Sequence, residues 1–142
     1  MMGLRIAKSI LITLLFLTTT SCTYCIASDA EDNFTLGSAL TKLTAAVESA
    51  VRYDDPPLML NDLELLQFST KHDPTLLEPF SGYALKTFVQ NRHAVVLVCD
   101  KLGKHALLED AGCTSPLDKH LWKEQLDRPC DFTIKLGEIC QD

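Results

Sequence analysis

Four histidines, His72, His93, His105 and His120, are the side chains of this chain best suited to exchanging a proton near neutral pH. At least 11 residues separate each from the next, and each reads as a solvent-facing or hydrogen-bonded side chain. His72 precedes Asp73, which invites a dyad, but Asp73 stands before Pro74 and is explained as a helix cap. The carboxylate pairs Asp54/Asp55 and Glu109/Asp110 flank expected turns, where aspartate is ordinary turn chemistry. Paired acids serve general acid and base catalysis when burial separates their pKa values, and nothing in these stretches indicates burial. Ser81-Gly82 lacks the Gly-x-Ser-x-Gly frame of a nucleophile elbow, and the 6 glycines are scattered, not gathered into a phosphate loop. The sequence therefore assigns no catalytic residue, no cofactor and no metal.

Cys99, Cys113, Cys130 and Cys140 have 13, 16 and 9 residues between neighbours, with no Cys-x-x-Cys and no His at zinc-finger spacing. In an exported chain this reads as two disulfides, and oxidised cysteines are not thiolate nucleophiles. If Phe132 to Leu136 is an extended strand, Cys130 and Cys140 lie up to about 33 Å apart at roughly 3.3 Å per residue, against the ~5.5 Å that a disulfide needs. That removes the pairing of Cys130 with Cys140. Of the two schemes left, we favour Cys113 with Cys130, clipping a helical excursion, and Cys99 with Cys140, holding the tail. Trp122 is the one large amphipathic side chain and the candidate partner contact.

The N-terminus carries the strongest targeting signal. Arg5 and Lys8 precede an apolar run from Ser9 to Leu17, and no other charge appears before Asp29; this is the basic and apolar layout of a signal segment. Nine helical residues span about 14 Å at roughly 1.5 Å each, too little for a bilayer core of ~30 Å. Thr19-Thr20-Ser21-Cys22 resembles a bacterial lipobox, with Thr19 in place of the usual Leu, and the resemblance implies lipidation of Cys22. Ordinary cleavage after Ala27 is the competing reading, and it leaves an even number of cysteines. We take residues 1–27 as the targeting segment, 28–34 as a tether and 35–142 as one domain.

The whole chain has 13 basic and 19 acidic side chains; Arg5 and Lys8 leave with the targeting segment, so residues 28–142 hold 11 against 19. A surplus of acid argues against nucleic acid and against docking on anionic lipid by charge, since both need clustered Lys and Arg.

Leu36, Leu40, Leu43, Val47, Ala50 and Val51 form a helical stripe, with Lys42, Glu48 and Arg52 on the other side, and Asp54-Asp55-Pro56-Pro57 stops the helix. Asn61 and Glu64 resemble a capping box for a second helix, with Leu63, Leu66 and Phe68 inward. Asp73-Pro74 opens a single turn that Pro79 closes. Strands are expected over 83–89, 93–99 and 105–108, the second apolar on both faces and therefore central. After a turn at Asp110-Ala111-Gly112, Ser115-Pro116 starts a short helix carrying Leu117, Leu121 and Trp122. Residues 123–128 read as a charged loop and 132–136 as a last strand. The expectation is an α+β domain: an antiparallel sheet of three to four strands, two N-terminal helices on one face, stapled by disulfides.

Two functional classes fit. One is an exported, non-catalytic envelope protein that binds another envelope or extracellular protein, placed in the periplasm or at the outer membrane through a lipid on Cys22, or alternatively secreted as a soluble protein. The other is a small secreted hydrolase whose His and carboxylate meet only in three dimensions; their convergence in one concave pocket would favour it.

Overall fold

The computed structural model describes residues 24–114 and 123–140, with side chains described over 34–114 and 128–140. The chain divides into two units, 1–34 and 35–142. Helix α1 covers Tyr24–Tyr53, α2 covers Asp62–Ser69, and a 3₁₀ helix covers Pro74–Phe80. Strands β1 (Ala84–Gln90), β2 (His93–Cys99), β3 (His105–Ala111) and β4 (Lys123–Pro129) follow, then a last helical turn, α3, at Leu136–Ile139. The strands form one antiparallel sheet in the order β1-β2-β3-β4, so the architecture is α+β. Among the described residues no helix is long and apolar enough to cross a membrane.

Local signals explain most of these elements. The Asn61 side chain accepts from the Glu64 N–H at 3.0 Å while the Glu64 carboxylate accepts from the Asn61 N–H at 2.9 Å, so the capping box is complete. Asn91 and Arg92, both at positive φ (51° and 63°), make the two-residue turn between β1 and β2, a twist that suits a hairpin even without glycine. All of β2 is buried, because it has layers on both sides. Its Ala94, Val96 and Val98 pack with Leu40, Leu43, Val47 and Val51 of α1, Leu65 and Leu66 of α2, and Phe80. Full burial of each such Leu or Val is worth roughly 1.5 to 3 kcal/mol. Asp62 joins α2 to the sheet edge, its Oδ1 accepting from both the N–H and the hydroxyl of Thr87 at 2.8 Å.

The other face of β2, Val95, Leu97 and Cys99, is covered by the C-terminal segment. Cys130 lies buried against Leu97, Cys99 and Ala106 with Phe132 beside them, and Ile134, Leu136 and Cys140 pack on Val95 and Ala111. The segment is a strap along the sheet, fastened at one end by Cys99–Cys130 and at the other by Cys113–Cys140, each with Cα atoms 5.8 Å apart. Midway, buried Glu109 holds it by accepting from the Thr133 N–H at 2.9 Å and the Ile134 N–H at 3.4 Å.

Several expectations are corrected. The favoured disulfide scheme is not formed: Cys99 pairs with Cys130 and Cys113 with Cys140, because Cys130 follows directly on β4 and returns beside the end of β2. The last strand is Lys123–Pro129, not 132–136. Residues 132–136 do alternate in burial, but Phe132, Ile134 and Leu136 face the sheet from outside it instead of pairing within it. Glu109 and Asp110 are not turn residues; β3 runs through both, to Ala111, and they are 1 % and 2 % exposed. Glu48 is buried, not on the solvent side of α1, whereas Leu63 of α2 is exposed. Apart from these corrections, residues 28–34 have helical backbone within α1, with no proline or glycine to oppose it. The Ser115 to Trp122 helix lies outside the described residues.

Candidate functional site

At the end of the sheet where β2 begins and β3 finishes, α1 comes close to the backbone. A Cβ on Gly112 would fall 2.3 Å from the Glu48 Cβ and 2.8 Å from the Thr44 carbonyl oxygen, so only glycine fits there without a shift. The close approach brings Glu48 over the start of β2. Its Oε2 accepts from the Ala94 N–H at 2.6 Å, and its Oε1 lies 2.7 Å from His93 Nδ1 and 2.8 Å from Arg52 Nε. Arg52 Nη2 lies 2.8 Å from His93 Nδ1 and 3.3 Å from Nε2.

A guanidinium only donates and an ionised carboxylate only accepts, so Arg52 gives its Nε–H to Glu48, and Glu48 Oε1 meets the same ring nitrogen, His93 Nδ1, that Arg52 Nη2 approaches most closely. Glu48 and His93 are both nearly sealed, with side chains 8 % and 4 % exposed, while Arg52 is one-third exposed. One side of a cleft of about 560 Å³ is formed by Glu48, Ser49 and Arg52, and the other by Gly112, Cys113 and Cys140. Thus a histidine and a carboxylate 45 residues apart meet beside a disulfide.

Two neighbouring carboxylates on β3 face opposite sides of the sheet. Glu109, on the strap side, takes Arg128 Nη1 at 3.4 Å in addition to its two backbone donors. Asp110, on the helix side, accepts from the Thr114 hydroxyl at 3.3 Å. Burial pushes the Asp110 carboxyl up to about 6, against hydrogen bonds from Thr114, Ala111 and Thr44 that pull it down. Away from this region, the Lys104 N–H, 2.7 Å from Asp100 Oδ1, holds that turn carboxyl below its ordinary value.

A second concavity, about 530 Å³ and mainly apolar, opens between α2, the 3₁₀ helix and β1; Leu63, Leu66, Leu77, Phe80, Tyr83 and Leu85 line it. Leu63 is 60 % exposed, and Leu58 and Met59, in the connection that leads into α2, are almost wholly so.

Of the residues singled out from sequence, the four cysteines are paired as described, and His93 reaches a carboxylate. His72 and His105 are exposed. Cys22, Trp122 and His120 lie outside the described residues. Sequence reasoning missed Glu48, Arg52 and Gly112; the one available signal was a Glu interrupting the helix between buried Val47 and Val51. Compared with protein-family models, with curated proteins and with solved structures, the chain matches none.

Proposed function

We infer that the chain is an exported envelope protein, tethered through a lipidated Cys22 or released after Ala27, whose folded domain binds another protein without catalysing a reaction. The apolar groove of Leu63, Leu66, Leu77, Phe80, Tyr83 and Leu85 carries this reading. It lies beside sheet-edge strand β1, with Leu63 and Tyr83 reachable at its rim. Clustered exposed apolar side chains are costly to leave in water and mark contact surfaces. Because Asp62 already occupies the outward N–H of Thr87, the partner enters with apolar side chains and does not add a strand to β1. Two disulfides suit an oxidising compartment.

Retention of envelope proteins by the immobilised domain tests this reading. Leu63→Asp together with Tyr83→Asp should abolish retention of a specific protein while leaving the melting temperature within about 2 °C, as expected for substitutions that touch little. An identical retained set from the double variant would overturn it.

The hydrolase reading has one observation in its favour, the His93–Glu48 contact at 2.7 Å beside a cleft. Against it, both Glu48 oxygens already serve the chain's own donors and pin α1 to β2. Ester, peptide or glycoside cleavage by the wild type that disappears in His93→Gln would move the assignment to that class.

A further inference from the structure

We propose that the cleft holds a redox-gated site for zinc(II) or a similar thiophilic cation, formed by His93, Cys113 and Cys140 once their disulfide is reduced. A ring nitrogen of His93 and the two sulfurs all lie within 4.8 Å of one another. A tetrahedral zinc site with Zn–S of about 2.3 Å places two sulfurs about 3.8 Å apart, a span that side-chain rotations reach from Cα atoms 5.8 Å apart.

Three further features fit an ion. Glu48 Oε1 lies 2.7 Å from His93 Nδ1, and a carboxylate behind a histidine orients the ring and raises its basicity toward a metal. An ion taking a ring nitrogen displaces Arg52 Nη2 from the ring, while Arg52 stays on Glu48 through Nε at 2.8 Å. Two thiolates, Glu48, Arg52 and a dication sum to zero charge. The cleft, lined by both cysteines, gives access for a reductant and leaves the fourth coordination position to water or another ligand.

The chemistry balances with a dithiol as reductant. Its two thiols become a disulfide, their two electrons break the Cys113–Cys140 bond, and two protons move to the new thiols. Zinc then replaces those two protons, which pass to solvent. The other disulfide cannot make such a site: Cys99 and Cys130 are sealed against Leu97 and Ala106.

The test uses the full chain, reduced mildly by a phosphine, desalted without oxygen and titrated with cobalt(II) as the probe. One equivalent should bring up tetrahedral cobalt absorption with a sulfur-to-cobalt charge-transfer band, and zinc should remove both. The oxidised chain should show neither. Glu48→Gln should bind about 10- to 100-fold more weakly, the usual cost of losing an outer-shell partner, and His93→Gln more weakly still. A readout on the wild type does not depend on how variants fold: zinc should slow alkylation of Cys113 and Cys140, and leave any thiol at Cys22, Cys25, Cys99 or Cys130 unchanged. No thiolate-cobalt band, unchanged affinity in His93→Gln, or protection spread equally over all thiols would each overturn the site.

Discussion

The two disulfides clip opposite ends of the same strap, yet their surroundings differ. Cys99–Cys130 sits in dry core, its cysteines 0 % and 5 % exposed and packed on Leu97 and Ala106. Cys113–Cys140 borders a cleft shared with Glu48 and Arg52, with a nitrogen of His93 close by. Sequence separations of 31 and 27 give the two bonds nearly equal chain-entropy terms, about 3.5 to 4 kcal/mol each. What separates them is therefore the cleft: Cys99–Cys130 is sealed in core, whereas Cys113, partly exposed, and Cys140, 8 % exposed and packed on Val95 and Ala111, line an opening to solvent.

The largest expected effect breaks the comparison directly. Cys99→Ala with Cys130→Ala should lose the entropy term and also leave a cavity, about 5 kcal/mol together, whereas Cys113→Ala with Cys140→Ala should lose about 4. Urea midpoints at matched slope measure both; a larger loss from the cleft pair would mean that the strap depends on its open end.

Next comes the order of reduction. A sealed bond must wait for an opening of the core, and an opening that costs about 3 kcal/mol exposes it less than about 1 % of the time. The cleft disulfide should therefore be reduced on the order of 100-fold faster, read by timed alkylation and peptide mass mapping. Equal rates would erase the distinction.

A third effect concerns a charge buried on the helix side of β3. Asp110, raised from 3.8 to about 6 in the folded chain, binds its proton more tightly when folded. Its contribution is fully present below about pH 4 and declines as pH rises through about 6, so its ionisation costs the fold about 2 to 3 kcal/mol at pH 7. Asp110→Asn should raise stability at pH 7 by up to that amount and flatten the profile between pH 4 and 7. A profile unchanged by the substitution would show that another group governs the window.

The smallest effect sharpens the cleft end. Gly112→Ala forces a methyl into the contact with Glu48 and Thr44 and should cost about 1 to 3 kcal/mol. Because the shift falls next to Cys113, it should also speed reduction of Cys113–Cys140 without changing that of Cys99–Cys130.

Where the sequence was legible, the signal was local. The β-branched run of β2, the Asn61/Glu64 box and the stripe of α1 each state their geometry within a few residues, and all three stand in the structure. The strand 123–129 was illegible because Lys-Glu-Gln-Leu-Asp-Arg-Pro has the composition of a loop; it is a strand through pairing with β3 along the sheet's outer edge. The reverse error at 132–136 has a matching cause. Period-two burial says that one side of an extended chain is covered, and a strap lying on a sheet satisfies it as well as a strand within one.

By itself, then, the sequence determined the α+β class, the antiparallel hairpins, the acidic balance and the exclusion of a Cys130–Cys140 bond, all of which follow from periodicity, turn chemistry or reach along the chain. Only the tertiary structure decided which cysteines join, that Glu48 and Arg52 of a helix meet His93 of a strand, and that Glu109 and Asp110 are buried on opposite faces. Those outcomes depend on strand register and on the close seat of Gly112 under α1, which bring together residues 45 positions apart. No local pattern records such a meeting, since its free energy comes from contacts that exist only after the chain has closed on itself.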